Sequence, residues 1–203
     1  MTELDSLSLE KKLSDRLVSL VDIVFGVVFG LSIPTVFGID TNITIPNSWV
    51  NILTISNYIF TISNFALFVA YISIILSWIG YHKTMEQYPF KIGIGGSRRF
   101  FMDLAIVFLY AALIYTRSNT LLYLAIFPII YFFYWAWDVM LNHEYKTHVT
   151  STRTTFKYFM IFLITCTIYW YIGATYSVAW IFLIVTLILN LAFRYEKGTW
   201  RHN

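Results

Sequence analysis

Six long apolar stretches, near Leu17–Phe37, Ile52–Tyr81, Phe100–Thr116, Leu121–Leu141, Phe156–Ala174 and Val178–Phe193, constrain this chain more than any other feature. A helix needs roughly 20 such residues to cross a hydrocarbon layer about 30 Å thick; the third stretch is the shortest. The runs are continuous in Leu, Ile and Phe rather than alternating, which fits helices and not the strands of a β-barrel. Apolar residues are 58% of the 203 and charged residues 12%, against about 45–50% and about 25% in soluble domains. Mean hydropathy is +0.66. A soluble fold of this length has too little interior to hide that much apolar surface. The expected class is therefore all-α: a polytopic membrane protein with six transmembrane helices, embedded in the lipid bilayer.

Thirteen of the fourteen Lys and Arg residues fall in the N-terminal segment, the second and fourth loops and the C-terminal tail. Only Arg117 lies in the other set of loops. Cationic residues accumulate on the cytoplasmic face of a membrane protein, so both termini are expected there, in the cell membrane. The expected organisation is a cytoplasmic segment over 1–16, a membrane domain over 17–194 and a cytoplasmic tail over 195–203. Residues 1–16 are polar and mixed in charge, without the apolar core of a cleavable signal, and read as an amphipathic lead-in. The net charge of +3 is too small and too scattered for nucleic acid. Cys166 is the only cysteine, so no intrachain disulfide can form.

Motifs of enzymes and metal sites are missing. His143 and His148 stand five apart, whereas a zinc-protease helix needs four to turn both toward the metal. Gly93-Ile94-Gly95-Gly96 lacks the Lys-Ser/Thr of a phosphate loop, and the whole stretch from Tyr81 to Arg99 reads as a polar connection. No GxSxG, CxxC or Walker pattern occurs, so no enzymatic role, metal or cofactor is expected. The aromatic run Tyr131–Trp137 reads as an interfacial belt. Asn42-Ile43-Thr44 matches a glycosylation acceptor in too short a pattern to carry weight.

Three aspartates fall inside the spans: Asp22, Asp103 and Asp138. A carboxylate at mid-bilayer costs about 2.5–3.5 kcal/mol on insertion scales. Asp103 and Asp138 lie near the interface, where snorkelling or Arg99 is expected to satisfy them. Asp22 is deeper, six residues and about 9 Å beyond Arg16. Trp78 and His82, at i and i+4, share a face of the second helix. If the first two helices are antiparallel neighbours, Arg16, Asp22, Trp78 and His82 form one polar network. Gly26 and Gly30 have the small-xxx-small spacing that lets helices approach closely. At about 100° per residue, Asp22, Gly26, Phe29 and Ile33 share one stripe, which is expected to dock the helix. Ile23, Val27, Gly30, Leu31 and Pro34 mark another, roughly 100° around, which faces lipid in a monomer and a pore in an oligomer.

Over Arg16-Leu17-Val18-Ser19-Leu20-Val21-Asp22-Ile23-Val24-Phe25-Gly26-Val27 the chain resembles the transmembrane protein 175 family, the lysosomal potassium channels and their prokaryotic relatives. That family opens its first helix with R-x-x-x-F-S-D-x-V-F-A-I. Its second helix ends in W-x-x-(N)H and a basic residue, to which Trp78-Ile79-Gly80-Tyr81-His82-Lys83 is similar. The resemblance implies a homotetramer in which each subunit gives its first helix to a central potassium pore. It implies Val27 at the main apolar constriction, with Ile23 and Leu31 bracketing it, and a hydrogen-bonded cluster of Arg16, Asp22, Trp78 and His82. Leu20-Val21 stands where the family has Phe-Ser, and Gly30 where it has the pore threonine, so a hydroxyl is lost at each place. The leading expectation is a potassium-leaning cation channel, with K+ as the permeant ion and no bound cofactor. Two other readings are a proton-coupled transporter or proton leak using Asp22 and His82, and a non-conducting scaffold.

Overall fold

Capping side chains set where the apolar runs become helices. The computed structural model describes residues 3–37, 61–91, 94–146, 151–173 and 175–197; the side chains of 3–10, 31–37, 94 and 95 lie outside the description. Six helices and no strand make up the described residues: α1 (Glu3–Phe37), α2 (Ile62–Gln87), α3 (Ile94–Thr116), α4 (Thr120–Tyr145), α5 (Thr152–Ile172) and α6 (Tyr176–Glu196). Thr61 caps α2 by accepting from Asn64 N at 3.3 Å, and Asn119 caps α4 by accepting from Leu122 N at 3.1 Å. Ser151 and Thr175 do the same for α5 and α6, from Thr154 N at 3.2 Å and Val178 N at 3.4 Å. Such a cap is worth about 1 kcal/mol. Among the described residues, α2 to α6 each contain a stretch long and apolar enough to cross a membrane. The chain is an all-α polytopic membrane protein.

The helices differ from the apolar runs mainly at their ends. α3 begins at Ile94 rather than Phe100, and α2 runs on to Gln87, so most of the expected Tyr81–Arg99 connection is helical. Counting apolar residues misses a polar turn that a helix simply continues through. Residues 52–60 of the second apolar stretch, Asn42-Ile43-Thr44, Gly93, His148 and Ala174 lie outside the described residues.

α4 is the centre of the bundle, packed between α3 and α5. Its Tyr123, Phe127, Ile130, Tyr131 and Leu141 are buried at helical spacing. α6 lies against α5 and α2. Among the described elements α1 touches only α2 and α3, which puts it on their periphery. The Tyr131–Trp137 run is not a belt. Tyr131 is buried and donates to Asn190 Oδ1 at 3.0 Å, Trp137 is buried, and Phe132 points outward, as the 3.6-residue period requires.

Polar contacts gather the cationic segments at one end of the bundle. Ser14 of α1 accepts from Phe90 N at 3.1 Å, and Glu144 at the end of α4 accepts from Lys91 N at 3.1 Å. Lys157 of α5 pairs with Glu196 of α6 at 2.5 Å. Gly96 lets this end close, since a Cβ there would lie 2.1 Å from the Lys91 carbonyl oxygen. Gly96→Ala is expected to push the loop away from Glu144 and lower stability by about 1–3 kcal/mol, read as a lower unfolding temperature in detergent.

The two shallow aspartates depart from the sequence-based expectation in different ways. Asp138 does not snorkel: it is fully buried, and Lys197 Nζ lies 2.7 Å from each of its carboxylate oxygens. The Thr155 hydroxyl donates to it as well. Burial pulls the Lys197 ammonium below the usual lysine range, and Asp138 acts against that pull. Arg99 does not pair with Asp103, because its guanidinium is committed to Glu144 at 2.6 Å. Asp103 is buried without an ionic partner among the described residues.

Candidate functional site

α1 presents two unlike faces. Val21 and Phe25, one turn apart, are buried in the core, with Leu17, Val18, Val24 and Val28 partly buried against it. This is the docking stripe, and it differs from the expected one. Gly26 is exposed with nothing within 4 Å of a Cβ built on it, and Phe29 is a border residue, edge-on to Tyr71 at 5.0 Å. β-branched and aromatic side chains fill the groove against α2 and α3, so the helix rotates to bury Val21 rather than Gly26. The small-xxx-small pair is not used inside the subunit.

The opposite face is open. Ile23 is 61% exposed and Val27 51%. Gly30 is exposed, again with nothing within 4 Å of a built Cβ. Leu31 and Pro34 continue α1 in register, and their side chains lie outside the described residues. A continuous apolar strip therefore runs along the outside of the peripheral helix.

Asp22 sits at the edge between the faces. Its Oδ1 accepts from Trp78 Nε1 at 3.0 Å, and His82 Nε2 lies 2.8 Å from the same oxygen. The Trp78 and His82 rings meet edge-to-face at 4.7 Å, as the i, i+4 spacing on α2 dictates. Because Phe29 meets Tyr71 while Asp22 meets His82, α1 and α2 run antiparallel. Arg16 is exposed and is not among the groups bonded to Asp22. The cluster joins three of the four residues and leaves the arginine outside. About a third of the Asp22 and His82 side-chain surface is open to the subunit's exterior. Within an apolar band such an opening is costly unless something covers it.

No family model, curated protein or solved structure matches this chain.

A second polar centre, unannounced by any motif, lies deeper in the bundle. The Tyr134 hydroxyl bonds to the Ser77 hydroxyl, to Tyr110 Oη at 2.9 Å and to Arg194 Nη2 at 3.0 Å. One atom thus ties α2, α3, α4 and α6 together. The partners are up to 60 residues apart in the chain, so local spacing gives no sign of them. Among the described residues, no group of three or more His, Cys, Asp or Glu side chains is placed to hold a metal ion.

Proposed function

We propose that this protein is a homotetrameric, potassium-leaning cation channel whose first helices meet around a central pore. The observation that carries the reading is the pairing of faces on α1. A peripheral helix docks through Val21 and Phe25 and turns Ile23, Val27 and Gly30 outward. Four such strips around an axis make a narrow apolar conduit of the kind that gates by excluding water. Gly26 and Gly30, open on this subunit, give neighbouring copies the close approach that small residues allow. The same neighbour would cover the half-open Asp22–His82 pair. The resemblance of the α1 and α2 motifs to the transmembrane protein 175 family supports the same arrangement. Cationic loops at one end of the bundle support an orientation with both termini in the cytoplasm.

Purified protein in liposomes is the direct test, with ions substituted in turn. Potassium flux exceeding sodium flux is expected, and no cation flux from correctly inserted protein would overturn the proposal. Geometry is checked by Val27→Cys in a Cys166→Ser background. Mild oxidation is expected to join copies into covalent dimers, since valines facing one axis come within disulfide reach. Asp22→Ala is expected to reduce the tetramer fraction in mild detergent, because both Trp78 and His82 lose their acceptor.

The 2.8 Å Asp22–His82 contact favours one rival, a proton leak in which the two side chains pass a proton. Asp22→Asn discriminates between them: proton flux that disappears while the tetramer persists supports the rival, and retained cation flux supports the channel.

A further inference from the structure

The cationic end of the bundle forms a partly open cavity of about 230 Å³ between α2, α3, α4 and α6, reached by Phe25 of α1. That is far more than the roughly 10–15 Å³ needed to hold one water. Tyr81, Tyr134, Trp137 and Phe193 put aromatic rings on its wall. Two charged side chains on that wall lack an oppositely charged partner. Asp103 of α3 is 6% exposed and its Oδ2 has no hydrogen-bond partner. Arg194 of α6 is 7% exposed, donates to the Tyr134 hydroxyl and lies against the Tyr134 and Phe193 rings, with no carboxylate within ion-pair distance among the described residues.

The other charges on the wall have interactions of their own: Lys197 is held by Asp138, Glu196 by Lys157, and Lys83 is likewise engaged. Arg99, whose charge acts on Asp103 from beyond the wall, is held by Glu144. Trp137 sits beside the Asp103 carboxylate as a poorly aligned donor, and Tyr81 Oη makes no hydrogen bond among the described residues. Buried polar atoms are nearly always paired, and a lone buried charge is costlier still. Charges of both signs, neither neutralised by a neighbour among the described residues, face one cavity and complement a molecule that carries both.

Its chemistry follows from those groups. A simple cation would satisfy Asp103 but stand in the field of Arg194. A simple anion would satisfy Arg194 but face Asp103. Water can bond to all of them without neutralising either charge. We propose that this cavity binds a small zwitterion, such as an amino acid, with its ammonium against Asp103 and its acid group against Arg194. Aromatic rings on the wall suit the ammonium end through their negative faces. The acid group accepts from the guanidinium, which is built for planar oxyanions. The site lies off the outer strip of α1, so it stands whether or not that strip lines a pore.

The test uses the full chain in lipid nanodiscs and isothermal titration. Glycine, β-alanine and γ-aminobutyrate vary the charge separation, while ethylammonium and propionate each carry one charge. At least one zwitterion is expected to bind at least tenfold more tightly than either singly charged probe. Asp103→Asn and Arg194→Gln are each expected to weaken that binding at least tenfold, with circular dichroism confirming that the helices remain. Binding of none of the three zwitterions overturns the proposal. So does ethylammonium or propionate matching the best zwitterion, or a folded variant that binds as the parent does. If neither variant folds, the probe comparison on the parent protein decides alone.

Discussion

Arg99→Ala is expected to lower stability by about 3–5 kcal/mol, the cost of stranding one member of a buried ion pair. The Arg99 side chain is completely buried and its partner Glu144 nearly so, at 2.6 Å. Nη1 and Nη2 also donate to the carbonyls of Tyr88 and Pro89 at 3.2 and 2.8 Å. Phe90 and Tyr145 lie against the guanidinium at 5.0 and 5.7 Å. One side chain therefore pins the α2–α3 turn to the end of α4. Arg99→Lys is expected to recover only part of the loss, because a single ammonium cannot hold a carboxylate and two carbonyls in the fork geometry of arginine. The double change Arg99→Met with Glu144→Leu is expected to be milder than Arg99→Ala or Glu144→Ala, since it removes both charges together. Thermal unfolding of purified protein in detergent measures all four. A double variant as unstable as the sum of the singles would refute the ion-pair account.

The second large effect concerns Val27. In a four-copy pore, Val27→Ala removes two methyl groups from each subunit at the narrowest apolar ring, eight in all, and widens the region that water must enter. A barrier lower by about 1.4 kcal/mol raises flux about tenfold, and a change of at least that size in potassium flux from liposomes is expected. Ile75→Ala is the matched control: it is also exposed and apolar, but on α2. It is expected to leave flux unchanged. Equal effects from both would mean that the outer strip of α1 has no special place in conduction.

The features readable from sequence are those with short range. Apolar runs of membrane length mark the helices because a bilayer admits little else. The i, i+4 spacing of Trp78 and His82 puts both on one face of α2, and a neighbouring antiparallel α1 brings Asp22 to them. What escapes the sequence is long-range or depends on rotation. Which stripe of α1 docks is decided by how Val21 and Phe25 fill the groove, and the glycine spacing points to the wrong side. Asp138 finds Lys197 across 59 residues, and no local pattern announces that pair. The onset of α3 escapes because Ser97, Arg98 and Arg99 look like loop residues until Arg99 is seen to be buried. Asp103 and Arg194 come to one cavity through the packing of four helices, of which composition carries no trace.

α1 is synthesised first and leans only on elements that arrive later. Trp78 and His82 follow Asp22 by 56 and 60 residues, an interval of roughly 3–12 s at about 5–20 residues per second of translation. During that time the carboxylate has neither of its ring donors, and a helix holding it in hydrocarbon carries the insertion cost of about 2.5–3.5 kcal/mol. In this chain α1 is thus made before the partner that makes its acidic residue tolerable has left the ribosome.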